Sequence, residues 1–300
     1  MEHVEGKTAF VTGGASGIGL GMSTAFVAAG MNVVIADMRR DHLEIALESF
    51  ARNDRREHVR AIELDVTDRE RFARAADEAE RAFGNVHVLC LNAGMGILGP
   101  VTLARYDDWD WGLGVLLGGV VNGIQTFLPR MLEHGEGGHI VNTASMAGVL
   151  PIAGAAIYIT AKAALIGLSE ALRSELAEKG IGVSAFCPGP VQTNIREGGR
   201  TRPERYSDSG YIELERQLEE RPNSPFWMDP RECGERVLEG IRRDDLYIFT
   251  HREFREGAEE RFRAMLASFP DEPLNEKRAD EIRYLLSNPI FAEVLERRSV

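Results

Sequence analysis

Along most of the chain, short runs of apolar residues are each followed by a longer stretch with helical spacing. The runs fall at 7–12 (KTAFVT), 32–36 (NVVIA), 59–64, 87–91 (HVLCL), 139–143 (HIVNT), 182–187 (GVSAFC) and 246–249 (LYIF). A strand with one wet face alternates in polarity. These runs do not, so each predicts a strand buried on both faces. The stretches between them predict a helix ending at Ala29 with Gly30 as its cap, and others over 41–52, 69–83, 107–134 and 152–179. Strand–helix alternation of this kind predicts an α/β fold, a doubly wound parallel sheet with helices on both faces.

Two segments break the alternation. Residues 188–228 are rich in Pro, Gly, Ser and Arg and carry Tyr206, Tyr211, Phe226 and Trp227. This composition predicts a long loop without a packed element, whose aromatics close over an apolar pocket. Beyond the main unit (1–250), Phe254, Ala258, Phe262 and Leu266 recur at helical spacing, and a second amphipathic stretch covers 275–287. They predict a C-terminal helical extension over 251–300.

Composition narrows the classes. With 44% hydrophobic and 27% charged residues the chain is neither disordered nor fibrous. A net charge of −12 argues against a nucleic-acid partner. Cys90, Cys187 and Cys233 are odd in number and far apart. They predict free thiols in a reducing, cytoplasmic setting, with neither a disulfide framework nor a metal site. The N-terminus lacks a basic leader, and apolar stretches such as 147–159 fall short of the roughly 18 residues a membrane span needs, so no membrane association is expected.

The candidate chemistry begins at the first strand–helix turn. Thr12-Gly13-Gly14-Ala15-Ser16-Gly17-Ile18-Gly19 has the spacing GxxxGxG. Glycines there allow a pyrophosphate to approach the backbone, and the helix N-terminus favours its charge. Asp37 ends the second strand about 20 residues on, where a carboxylate accepts from ribose hydroxyls and repels a 2′-phosphate, so NAD is expected over NADP. Arg39 and Arg40 follow closely and would attract such a phosphate; Asp37 outweighs them because it occupies the strand end.

Tyr158 and Lys162 are spaced i, i+4 and share a helix face. An ammonium beside a phenol favours the phenolate, which can take the proton from an alcohol while hydride leaves its carbon. With six Tyr and four Lys in the chain, roughly 0.1 such pairs arise by chance. Lysine is scarce: only Lys7, Lys162, Lys179 and Lys277 among 35 basic residues. A compact ammonium at 162 therefore reads as required. Ser145, just after an apolar strand, can hold a substrate oxygen or cap a helix.

Together these residues resemble the classical short-chain dehydrogenase/reductase family. The motifs are Thr12 to Gly19, Asp65-Val66, Asn92-Ala93-Gly94, Ser145, Tyr158-x-x-x-Lys162 and Pro188-Gly189 with Thr193. The resemblance covers roughly residues 5–250. It implies a Rossmann-type seven-stranded sheet of order 3-2-1-4-5-6-7 and an NAD cofactor held by Gly13, Ser16, Gly17, Ile18, Gly19 and Asp37. Asp65 and Val66 would flank the adenine, Asn92 to Gly94 would line the cofactor, Lys162 would bond the nicotinamide ribose, and Pro188, Gly189, Val191 and Thr193 would embrace the nicotinamide. Segments 106–115 (YDDWDWGLGV) and 200–211 (RTRPERYSDSGY), with the C-terminal helices, look more narrowly like bacterial Cα-dehydrogenases of lignin-type β-aryl ethers.

The implied activity is NAD-dependent interconversion of a secondary, benzylic or other bulky apolar alcohol and its ketone, with Ser145, Tyr158 and Lys162 catalytic and residues 95–99, 146–152 and 190–228 shaping the pocket. A steroid or terpene alcohol dehydrogenase is the alternative within the class. One position departs from the family. Where it carries an Asn, this chain reads Val115-Leu116-Leu117, and Asn122 lies about 600° further around the helix. Leu116 predicts a weakened water-linked proton relay, and motivates a rival reading as a dinucleotide-binding sensor without turnover. Small residues at 153–156, 161, 163, 164 and 167 predict a helix face for a homodimer or homotetramer.

Overall fold

In the computed structural model, which describes residues 1–298, seven strands form one parallel sheet. They are β1 (Thr8–Thr12), β2 (Asn32–Asp37), β3 (Val59–Glu63), β4 (Val86–Leu91), β5 (Gly138–Thr143), β6 (Ile181–Cys187) and β7 (Tyr247–Phe249), in the order β3-β2-β1-β4-β5-β6-β7. The continuous apolar runs are explained by two separate cores. Val11, Val33, Val88, Val141 and Phe186 point to one face, under α1 (Gly17–Ala28), α2 (Arg40–Arg52) and α9 (Pro230–Arg243). Phe10, Val34, Leu89, Ile140 and Val183 point to the other, under α3 (Arg69–Phe83), α5 (Gly119–His134) and α7 (Ala156–Leu176). Strand order reverses between β1 and β4, which opens a crevice at their C-terminal ends.

The helix expected over 107–134 is continuous but not uniform. α4 (Tyr106–Leu113) passes through a π turn at Gly114–Gly118 into α5, and Leu116 within that turn is fully buried. A side chain at Gly119 would collide with Val66, and one at Gly123 with Leu91, so these glycines seat the helix on the sheet. By length and composition the 106–134 helix is apolar enough to cross a membrane, but half of its apolar window is buried in the protein. α7 begins at Ala156 rather than 152. Gly154 turns the chain with φ +77°, and its carbonyl accepts from Gly99 N–H at 2.7 Å. On α7, Ala163, Ala164 and Gly167 face outward, whereas Ala161 is buried beneath them.

The segment 188–228 is more ordered than its composition predicts. After the short α6 (Met146–Val149) and β6, it forms 3-10 turns at Ile195–Thr201 and Glu204–Tyr206 and then α8 (Ile212–Glu219). Two of its charged residues, Arg202 and Glu215, are neutralised inside the protein. The Arg202 guanidinium lies 3.0 Å from Asp108 and is paired with Glu215, with all three side chains under one-tenth exposed, and it stacks 4.2 Å from the Trp111 ring. Asp108 also accepts from Ser209 Oγ (2.5 Å), Gly210 N–H (3.0 Å) and Arg105 N–H (2.9 Å). Tyr211 is buried, with its hydroxyl 3.0 Å from the Gly99 carbonyl.

The tail forms α10 (Arg255–Leu266), α11 (Glu276–Glu281) and α12 (Pro289–Arg298). The apolar spacing on α10 divides its work. Phe254 and Ala258 pack against the core, while Phe262 and Leu266 face outward. α12 is held by buried Ile290 and by Arg297, 3.2 Å from Asp244.

Candidate functional site

A cleft of about 750 Å³ opens where the strand order reverses. At its floor the chain leaves β1 through two glycines in the left-handed region, Gly13 (φ +62°) and Gly17 (φ +49°). A Cβ on Gly13 would sit 2.9 Å from the Ala93 backbone. This turn therefore needs glycine both for its dihedral and for the approach of β4. Gly19 lies behind the turn, packed so tightly on the Gly13 carbonyl that no side chain fits. Among the residues expected to react or to hold the cofactor, it is the one that does not line the cleft.

The Ser16 hydroxyl is drawn to Asn194 Oδ1 at 3.1 Å, so α1 has no side-chain cap, and its first turn has no acid. The free N–H groups of a 12-residue helix thus face the cleft, an arrangement that fits a pyrophosphate. Ile18 lines the same end. The β1, β4 and β5 ends are tied together by polar side chains. Thr12 Oγ1 accepts from Asn92 N–H (2.9 Å) and Ala93 N–H (3.0 Å), and Asn92 Oδ1 accepts from Thr143 Oγ1 (3.3 Å). Gly94 continues this wall, where an added Cβ would press on Leu116 at 3.2 Å.

At one end of the cleft, buried Asp37 accepts from Arg39 N–H (3.0 Å) and Ala15 N–H (3.4 Å). Burial raises its pKa, and those two backbone bonds oppose the rise. Asp65 is occupied locally by Thr67, whose N–H and hydroxyl donate to it at 2.9 and 2.8 Å, and Val66 lies beside it. Across the cleft, Gly189 N–H donates to Thr250 Oγ1 (3.1 Å) and Val191 pairs with Met228, which sets Pro188, Val191 and Thr193 along the rim.

Beyond the β5 end lie the three candidate reacting groups. Ser145 caps α6, with its oxygen accepting from Ala147 N–H at 3.1 Å. Tyr158 and Lys162 are on successive turns of α7, with the ammonium 5.6 Å from the ring centroid and donating to the Thr143 carbonyl at 2.7 Å. The capping and substrate-facing readings of Ser145 are compatible, because its side chain also acts on the Tyr158 phenol in the cleft, lowering its pKa against the larger effect of burial. The expected lowering of the Tyr158 pKa by Lys162 is not found in the protein alone. Burial raises the phenol, opposed by the Ser145 hydrogen bond, and burial lowers Lys162 to about 8.

The remaining lining corrects the sequence in two respects. Of the four aromatics in 188–228, only Trp227 faces the cleft; Tyr211 is in the core and Phe226 is 95% exposed. Trp111 from α4 and Phe254 from the start of the tail also line the cleft, and neither is among the site residues the sequence predicts. The WDW repeat in 106–115 carried a signal for the first. For Phe254 none existed, since it reads as one position of an outer helix.

A parallel sheet whose crevice opens onto an uncapped helix N-terminus defines a dinucleotide-binding architecture. Residues 7–204 match the short chain dehydrogenase family, and the chain belongs to it, which makes it an oxidoreductase. The chain is 41% identical over 270 residues to a C alpha-dehydrogenase of Sphingobium sp. (strain NBRC 103272 / SYK-6), covering 89% of this chain and 88% of that one. A short-chain dehydrogenase from Novosphingobium aromaticivorans superposes with a TM-score of 0.83 at 38% identity over 99% of both chains. One from Burkholderia phymatum, in complex with NAD, gives 0.82 at 32% identity, covering 92% of this chain and all of that one.

Proposed function

We propose that the protein is an NAD-dependent dehydrogenase that interconverts a secondary, benzylic or similarly bulky apolar alcohol and its ketone. The observation that carries this reading is the convergence of Ser145, Tyr158 and Lys162 in the same cleft as the uncapped N-terminus of α1. Apolar walls from Leu98, Trp111, Val115, Leu150, Ile152 and Phe254 suit an aromatic substrate. The C alpha-dehydrogenase relative supports an alcohol next to a ring, and the NAD complex of the Burkholderia phymatum protein supports the cofactor.

Asp37 would accept from the adenosine ribose hydroxyls and the α1 turn would hold the pyrophosphate. The oxidised nicotinamide supplies the hydride acceptor. Ser145 donates to the substrate oxygen, and Tyr158 takes the proton from the alcohol. Lys162 would bond the nicotinamide ribose, and its charge would steady the phenolate once the cleft is filled.

General acid–base groups contribute roughly 10²–10⁴-fold. Tyr158→Phe is therefore expected to lose at least that much NADH formation with a benzylic alcohol while binding NAD normally. NADH formation at the wild-type rate would remove Tyr158 from the mechanism. No NADH from wild-type protein with any aryl, steroid or terpene alcohol would favour a sensor.

A further inference from the structure

A line of alternating charge crosses the mouth of the cleft. It begins at Arg39, two residues after Asp37. Arg39 Nε and Nη2 donate to Asp41 at 3.1 and 2.5 Å, and Nη1 donates to Glu197 at 3.0 Å. Glu197 sits on the far lip, in the 3-10 turn at Ile195–Thr201, 3.4 Å from Arg200, which pairs with Glu219 of α8. Both Arg39 and Glu197 line the cleft. The pairing spans 158 residues of sequence and joins the turn after β2 to the segment above the substrate end.

A guanidinium at this position is the natural partner for a ribose 2′-phosphate, because its planar fork matches phosphate oxygens. Asp41 lies on the same turn, occupies the Nε side of the fork and leaves the Nη1 side open. Glu197 fills that side. We propose that Glu197 is a cofactor-selectivity residue: by holding the Nη1 side of Arg39 across the cleft, it denies the guanidinium to the 2′-phosphate of NADP and reinforces exclusion by Asp37. Selectivity at the ribose is thereby set in part by the opposite lip of the cleft. The inference rests on the preceding reading of Asp37 and an NAD cofactor.

The test is direct binding, followed through the fluorescence of Trp111 and Trp227, both in the cleft. The ratio Kd(NADP)/Kd(NAD) is measured for the wild type, Glu197→Gln, Arg39→Gln and the double variant. Freeing one side of the fork is expected to lower the ratio about three- to tenfold in Glu197→Gln, the range of one charge-assisted hydrogen bond in a partly exposed site. That gain must vanish when Arg39→Gln is added, because the effect runs through the guanidinium. An unchanged ratio in Glu197→Gln overturns the proposal, as does parallel weakening of both cofactors or a gain that survives the loss of Arg39. A wild type that binds NADP as tightly as NAD overturns instead the reading of Asp37.

Discussion

The two lips of the cleft are built by different physics. The β1–β4 side is made of backbone: glycine turns at positive φ, a free helix N-terminus, and short-range ties among Thr12, Asn92 and Ala93. The opposite side, residues 195–219 with α4, is made of charged side chains distant in sequence and buried together. Arg202 between Asp108 and Glu215 is its centre. The first side needs particular backbone geometry and tolerates little variation. The second needs only that its charges find each other. It follows that the pyrophosphate turn is set by the fold, whereas the substrate end, and through Glu197 the selectivity at the ribose, is set by side chains that can be changed without touching that turn.

The largest expected effect comes from breaking that clamp. Arg202→Met leaves Asp108 and Glu215 buried without their cation, and removing one partner of a buried pair costs about 3–5 kcal/mol. Thr201, Pro203 and Trp111, which line the cleft, would lose their support. A large fall in urea midpoint and a raised KM for the alcohol are expected, with the NAD Kd little changed. A variant with wild-type stability would show the clamp to be ornamental. A loss of NAD affinity matching the rise in KM would show that the two sides are one unit.

How each side is built decided what the sequence disclosed. The sheet was legible because strands buried on both faces must be apolar throughout. The cofactor end was legible because its parts are local: GxxxGxG in one turn, and Tyr158 and Lys162 one helical turn apart. The substrate side was not. Nothing in composition or spacing pairs Asp108 with Arg202 and Glu215, which lie about a hundred positions away. α8 was lost for the same reason, since its helix shelters Glu215 inside the clamp. The π turn at Gly114–Gly118 was also hidden, because its residues fit an ordinary helical repeat.

The reciprocal change is Gly13→Ala on the β1–β4 side. A Cβ there meets the Ala93 backbone at 2.9 Å, and the residue must hold φ +62°. Left-handed backbone alone costs an L-residue about 1–2 kcal/mol. Displacement of the turn should weaken NAD binding roughly tenfold, the equivalent of about 1.4 kcal/mol. The expected pattern mirrors that of Arg202→Met: titration shows a higher NAD Kd, and the alcohol KM at saturating NAD stays near wild type. Equal losses in both would dissolve the distinction between the two sides.

The smallest effect is expected at Leu116, where the two sides meet. It is fully buried among Met95, Ile97, Trp111 and Ala161, and it also borders the cleft beside Gly94. Asn122 does not replace the missing amide, since its Nδ2 donates to the Val66 carbonyl at 2.9 Å. In the proposed reaction alcohol oxidation needs Tyr158 without its proton, and burial raises that pKa. The rate should therefore climb with pH. The climb should flatten above about 8, where Lys162 loses the charge that steadies the phenolate. Leu116→Asn offers a polar group to carry the proton onward, so turnover near neutral pH should rise a few-fold, well below the roughly 10²–10⁴ that the base itself contributes. The same change places an amide in an apolar cluster and should cost about 1–3 kcal/mol of stability. A variant that folds, binds NAD as the wild type does and gains nothing at any pH would mean that proton departure does not limit the reaction at 116.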